Sequence, residues 1–103
     1  MTRAANSARG EAVIQTANAA FVLRPTFAAL VAAEEELGPL FELVERAASG
    51  KLKLGEMVAL CWHCLAEQTA VSRDEFSEAV MAGGLAGSTP ALKILLGQIL
   101  GGR

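Results

Sequence analysis

The sequence predicts an α+β domain that is mostly α, in which an N-terminal β-hairpin packs on about five short helices. Three observations lead to this fold class. β-Branched and aromatic residues cluster on both sides of a turn between residues 11 and 24. From residue 27 onwards, apolar residues recur at helical spacing and are interrupted by glycine, proline and capping residues. The regular alternation of strands and helices that a parallel sheet needs is absent.

The length and composition are those of one folded domain. The chain has 103 residues, and single domains cluster at roughly 100–150 residues. It is 52% hydrophobic and 19% charged, far from the composition of disordered chains. Residues 1–10 are small, polar and unpatterned, so we expect a flexible N-terminal arm there and a single domain over residues 11–100.

The predicted hairpin joins a strand at residues 11–16 to a strand at residues 20–24. Asn18 lies between them and can adopt the positive φ that a tight turn uses. Phe21 and Leu23 fall on one face of the second strand. Since an isolated two-stranded hairpin is marginally stable in water, we expect that face to pack on the helices.

The first two predicted helices are separated by a stop signal and a start signal. Thr26 is placed as the N-cap of a helix over residues 27–36. Gly38 is placed to end that helix, and Pro39 to begin a second helix that ends at Gly50. The apolar residues expected to face the core in these helices are Phe27, Leu30, Val31, Leu40, Phe41, Val44, Ala47 and Ala48.

A third helix is predicted over about residues 55–69 and a fourth over residues 73–82. Ser72 and Glu75 have the spacing of a capping box at the start of the fourth helix. The residues expected along the inner sides of these two helices are Met57, Leu60, Cys61, Cys64, Leu65, Phe76 and Val80.

The last predicted helix covers residues 90–100, with Thr89 as its cap and Pro90 at its first position. It is apolar almost all round. Such a helix is either buried on most sides or docks on a partner.

The motif Cys61-Trp62-His63-Cys64 has two interpretations. A C-x-x-C pair can be redox-active or half of a metal site. The predicted mid-helix position argues against redox chemistry, and two cysteines with one histidine are too few ligands for zinc. We therefore expect both thiols to fill the core, with a small thiol oxidoreductase as a remote alternative. No catalytic, cofactor-binding or metal-ligating residue is predicted, and the protein is expected not to be an enzyme.

The charge pattern argues against nucleic acid and membranes as partners. The net charge is −2, and the chain has no run of lysine or arginine. Apolar stretches are interrupted well before the roughly 20 residues that a membrane-spanning helix needs. With two cysteines and no export signal, a cytoplasmic location is expected.

Glu34, Glu35 and Glu36 end the first predicted helix, where the helix dipole disfavours negative charge. The run is either a solvated helix end or a contact for a basic partner.

The order of short motifs resembles a family of small tail-assembly proteins encoded by gene transfer agents and related prophages of alphaproteobacteria. The resemblance runs from Arg9-Gly10-Glu11, through Phe21-Val-Leu-Arg-Pro-Thr-Phe-Ala-Ala-Leu30 and Ala33-Glu-Glu-Glu-Leu-Gly38, to Ser49-Gly-Lys-Leu52, Glu56-Met-Val-Ala-Leu60 and the helix that starts at Ser72. It covers about residues 9–100. The chain departs from the family pattern in its hairpin turn, Ala17-Asn18-Ala19, and at Lys53, where a Ser or Thr cap is usual.

The resemblance implies a non-enzymatic role in building a phage or gene-transfer-agent tail. The first expectation is a chaperone that covers the tape-measure protein until tail-tube subunits displace it. The alternative is a tube or connector subunit retained in the particle. Exposed apolar faces and a hairpin edge also favour a homo-oligomer.

Five apolar residues are the candidate partner contacts: Trp62, Leu92, Ile94, Leu96 and Ile99. They are chosen because an alanine-rich domain with an apolar last helix can offer a groove to another helix. The competing expectation is that the last helix simply completes the core of the monomer.

Overall fold

The computed structural model describes residues 11–16, 19–68, 71–82 and 85–101. Within those residues two strands precede five helices, which confirms the predicted α+β, mostly α fold. In chain order the elements are β1 (Ala12–Gln15), β2 (Ala20–Leu23), α1 (Phe27–Leu37), α2 (Leu40–Ala48), α3 (Leu54–His63), α4 (Arg73–Ala82) and α5 (Leu85–Gly101). The predicted arm at residues 1–10 and the turn residue Asn18 lie outside the described residues.

β1 and β2 form the predicted antiparallel hairpin. Ala12 pairs with Leu23, and Ile14 pairs with Phe21. Ala12, Ile14 and Leu23 are buried, whereas Val13 is exposed. This alternation places one face of the hairpin on the core.

The second edge of β2 is joined to the segment that follows α3. The Ala66 N–H donates to the Val22 carbonyl at 2.9 Å, and the Arg24 N–H donates to the Cys64 carbonyl at 2.6 Å. The hairpin is therefore held by backbone hydrogen bonds as well as by apolar packing.

The same contact makes α3 shorter than predicted. The apolar pattern extended the third helix to about residue 69, but α3 ends at His63. The Cys64 N–H still donates to the Leu60 carbonyl, and the peptide groups that follow turn to β2 instead. A helical pattern could not show this end, because the competing strand lies far away in the sequence.

α1 begins at Phe27, as predicted, and ends one residue later than predicted. α2 begins at Leu40, with Pro39 as its N-cap rather than its first residue, and ends at Ala48. The Ala29 N–H donates to Thr26 Oγ1 at 3.1 Å, which confirms the N-cap. Gly38 and Gly50 have φ values of +85° and +75°, in the left-handed region that favours glycine at helix ends. The N–H groups of Gly50 and Lys51 donate to carbonyls in the last turn of α2, which gives a Schellman motif.

The predicted inner faces of α1 and α2 were partly wrong. Four residues expected in the core are exposed: Phe27, Val31, Phe41 and Ala48. Phe27 is 85% exposed, whereas Ala33 is the fully buried residue of α1, which packs on α3.

α5 begins earlier than predicted. Thr89 and Pro90 were expected to open the helix, but α5 starts at Leu85 and contains both. Pro90 is the sixth residue of α5 and lacks the N–H that would bond the carbonyl four residues back. No single described helix is long and apolar enough to cross a membrane, and α4 and α5 meet the length and composition only together, as a strongly bent pair.

Large side chains from several elements meet in one core. The largest fully buried ones include Leu23, Leu43, Leu60, Phe76 and Leu95, each 0% exposed. Phe76 and Val80 face inward, as predicted. The Phe21 ring stands edge-on to Phe76 with centroids 5.1 Å apart, and the Trp62 ring is tilted against it at 5.9 Å. These three rings connect the hairpin, α3 and α4.

Candidate functional site

Cys61 and Cys64 fill the core, as the sequence predicts. Each is 1% exposed, and both are free thiols. Burial raises the pKa of each thiol to about 12, so the reactive thiolate is scarce at neutral pH. Their predicted mid-helix position was wrong: Cys61 lies in the last turn of α3 and Cys64 directly follows it. The C-terminal end of a helix does not stabilise a thiolate, so neither residue has the environment that redox chemistry uses.

Two carboxylates of the acidic run at the end of α1 bond within the chain. Glu34 Oε2 accepts the backbone N–H of Leu40 at 3.1 Å, at the N-terminus of α2, where the helix dipole favours an anion. Glu36 accepts hydrogen bonds from both terminal nitrogens of Arg73, at 3.0 and 2.6 Å, and its Oε1 lies 2.7 Å from His63 Nε2. The dipole of α1 disfavours these two carboxylates, but each accepts hydrogen bonds from another helix: Glu34 from α2, and Glu36 from His63 of α3 and Arg73 of α4.

In the Glu36→Gln variant, the free energy of unfolding is expected to decrease less on acidification than it does in the wild type. The Arg73 hydrogen bonds, followed by His63, lower the pKa of Glu36 from 4.5 to about 2. A carboxyl with a lowered folded-state pKa stabilises the fold above its unfolded pKa, and that stabilisation is lost as the pH falls from about 4.5 to about 2. Because the pair is exposed, we expect Glu36→Gln to cost less than about 1 kcal/mol at pH 7. Urea unfolding followed across this pH window measures both effects.

Glu35→Gln is the matched control, because Glu35 is an exposed neighbour on the same helix end. Its pH profile of unfolding should follow that of the wild type. A Glu36→Gln profile parallel to the wild type below pH 4.5 would contradict the assignment.

The structure does not bring the five predicted partner-contact residues to one surface. Trp62 is half-buried and packs on the aromatic core. On α5, Leu92 is 9% exposed, and Leu96 and Ile99 are partly buried against the core. Ile94 is 39% exposed. Much of α5 therefore completes the core of the monomer, and a partner contact at these positions stays a prediction.

Two of these residues, Leu92 and Leu96, line an apolar groove of about 300 Å³. One wall of the groove is α5, and the other is formed by the end of α2, the segment after it and the first turn of α3. The lining residues are Ala47, Gly50, Leu52, Lys53, Leu54, Met57, Thr89, Leu92, Lys93 and Leu96. Sequence reasoning found the α5 wall but missed the opposite one, for which the apolar residues of Lys51-Leu-Lys-Leu54 are the only signal in the chain.

Polar contacts fix the wall opposite α5. Gly50 ends α2 in its Schellman motif, and the Lys53 N–H donates to Glu56 Oε1 at 3.0 Å where α3 begins. Arg46 bonds the same carboxylate across the turn, and these two donors hold the pKa of Glu56 below its usual value. Hydrogen bonds therefore hold both ends of the segment between α2 and α3 in place.

The described lining of the groove is apolar apart from Thr89 and two lysines. Its described lining contains no carboxylate, imidazole or thiol that could move a proton or attack a substrate. Lys53 and Lys93 are exposed, and Leu54 is 43% exposed. The groove can therefore receive an apolar side chain that has acidic neighbours.

A second hollow, of about 340 Å³, lies between α1 and the segment after α3 and is more polar. Arg24 and His63 border it, but Arg24 pairs with Glu11 and His63 bonds Glu36. Across the described residues, no three His, Cys, Asp or Glu side chains come together as a metal site.

The comparison with protein families identifies the chain. The family described as phage tail tube protein, GTA-gp10, matches residues 9–102, which include both strands, all five described helices and the groove. Searches of the curated proteins and of the solved structures each found no match. A match over nearly the whole chain shows the family, and the chain belongs to the phage tail tube protein, GTA-gp10, family.

Proposed function

We propose that this protein is a structural component of a phage or gene-transfer-agent tail, retained in the finished particle as a tube or connector subunit. The observation that carries the proposal is the family match over residues 9–102, whose description names a tail tube protein. The sequence resemblance alone placed the tail-assembly chaperone first, and the family description favours the structural subunit over it.

The surface of the domain supports this proposal. A structural subunit acts through shaped contacts, and this domain has an apolar groove and two exposed phenylalanines, Phe27 and Phe41. Arg24 and His63, which border the second hollow, are engaged in ion pairs with Glu11 and Glu36.

Mass spectrometry of purified particles tests the proposal. Particles from cells that carry the gene would be quantified with isotope-labelled peptides of this protein and of other tail proteins. We expect a copy number comparable with that of other tail subunits, and no signal in particles from a deletion strain that carries an empty vector. Trace amounts in intact, tailed particles would contradict retention in the tail.

A tail-assembly chaperone that binds the tape-measure protein is the second candidate function. The observation that favours it is the open groove at Leu92 and Leu96, because an apolar groove can hold side chains of a partner helix. Co-expression pull-down with the tape-measure protein measures this binding. Co-purification together with absence from particles would support the chaperone, and a failure of two soluble proteins to co-purify would oppose it.

We place the protein in the cytoplasm of the bacterial host during assembly, since the subunits of a tail come together before the particle is released. Fractionation of producing cells before lysis should find it with the soluble proteins. Recovery with the membrane fraction would contradict this location.

A further inference from the structure

We propose that the groove beside α5 receives Phe41 from a second copy of this chain. This inference rests on the proposed function, because the partner that it names is a second copy of the same tail subunit. Two surfaces of the monomer, an exposed aromatic side chain and an apolar groove, have neighbours of opposite charge.

The first surface is an aromatic side chain with acidic neighbours. Phe41 is 63% exposed, although a buried phenylalanine is the more common state. Glu45 lies one helical turn further along α2 on the same flank, and Glu42 is the next residue; both are exposed. Phe41, Glu42 and Glu45 together form what we call the acidic knob.

The second surface is the groove. Leu52, Met57 and Leu92 give it an apolar floor, and Lys53 and Lys93 are the two cations of its lining. The groove volume of about 300 Å³ accommodates one large side chain. A phenyl ring in the groove would bring the carboxylates of the acidic knob towards the two lysines, so apolar burial and charge attraction favour the same contact.

Charge selects Phe41 over the more exposed Phe27. The helical neighbours of Phe27 at the next, third and fourth positions are Ala28, Leu30 and Val31, and none is charged. Phe27 could therefore fill the groove, but none of these neighbours would place a carboxylate near the two lysines of the lining.

The contact must join copies head to tail. Phe41 does not line the groove, so the acidic knob and the groove are different places on one chain. Each copy can then use its groove with one neighbour and its acidic knob with another. Such a heterologous contact builds a ring or a filament, depending on whether the rotation between copies closes.

Analytical ultracentrifugation of the full chain over a range of concentration and salt tests the contact. We expect the average mass to rise above the monomer value of 10.7 kDa with concentration, and less so at high salt. Phe41→Ala should weaken self-association by about tenfold or more, as expected for a buried aromatic anchor. Phe27→Ala, the matched aromatic control, should leave it unchanged.

A charge exchange makes the test specific to the two surfaces. The variant Lys53→Glu/Lys93→Glu and the variant Glu42→Lys/Glu45→Lys should each stay monomeric, because each brings like charges together. An equal mixture should associate again, since every contact between unlike variants restores opposite charges. Circular dichroism of each variant is the control that checks whether it is folded.

Three results would overturn the proposal: a monomeric wild type at the highest concentration, a larger loss of association from Phe27→Ala than from Phe41→Ala, or a mixture that stays monomeric. The two proposals also fail separately. A monomeric protein that is abundant in particles refutes the groove contact alone, whereas a self-associating protein that is absent from particles refutes tail retention alone.

Discussion

Replacing Phe76 with alanine is expected to destabilise the protein by about 3–5 kcal/mol, the usual cost of removing a buried aromatic ring. Phe76 is 0% exposed and contacts the rings of both Phe21 and Trp62. Its removal would open a cavity where the hairpin, α3 and α4 meet. Since a small domain is stable by only about 5–15 kcal/mol in total, this variant should be close to unfolding at room temperature.

Urea unfolding followed by circular dichroism measures this loss. Phe27→Ala is the control, because Phe27 is the same residue type at 85% exposure, and it should change stability by less than about 0.5 kcal/mol. Fluorescence of Trp62, the single tryptophan, gives a second probe of the same cluster in the wild type. A loss below about 1 kcal/mol for Phe76→Ala would show that the ring cluster does not hold the elements together.

The boundaries set by local chemistry could be predicted from the sequence. Thr26 caps α1, Gly38 and Gly50 end α1 and α2, and Ser72 bonds the first turn of α4 through its hydroxyl. Each of these signals acts over a few residues, so the information is complete in the local sequence. The identity of the buried residues of α4 followed in the same way from helical spacing.

The features that depend on distant contacts could not be predicted in this way. Phe27 and Phe41 fit the helical period but face solvent, because the choice of inner face depends on the neighbouring helix. α3 ends early because β2 takes the hydrogen bonds of the chain after it. An apolar pattern shows that a segment is helical, whereas tertiary contacts decide which side of the helix is buried and where the helix ends.

The candidate groove lies between these two cases. Leu92 and Leu96 were found because α5 is unusually apolar, while Trp62 belongs to the ring cluster around Phe76. The opposite wall includes Leu52, which lies in the irregular segment between α2 and α3, where the sequence follows no period. The two leucines of that segment, Leu52 and Leu54, do not reveal a groove by themselves, because its existence depends on how α2 and α5 pack.

Replacing Arg24 with methionine is expected to destabilise the fold by about 1.5–3 kcal/mol, because it removes a charge-assisted hydrogen bond to the buried Glu11 carboxylate. Arg24 Nε donates to Glu11 Oε2 at 2.7 Å, and the Glu11 side chain is 3% exposed. The pair spans the hairpin from just before β1 to just after β2. Arg24→Met keeps the length of the apolar stem, so the loss reports on the charge rather than on packing.

A double-mutant cycle separates the pair from its surroundings. Glu11→Gln and the double variant complete the cycle, and the double variant should be more stable than the sum of the two single losses implies, by about 1 kcal/mol or more. Arg73→Met is the control, because its ion pair with Glu36 is exposed on both sides and should contribute at most about 1 kcal/mol. If Arg24→Met and Arg73→Met lower the free energy of unfolding by the same amount, burial of Glu11 does not determine the strength of its ion pair with Arg24. A larger loss for Arg24→Met with strong coupling to Glu11 would mean that the ion pair, as well as the apolar face, holds the hairpin in place.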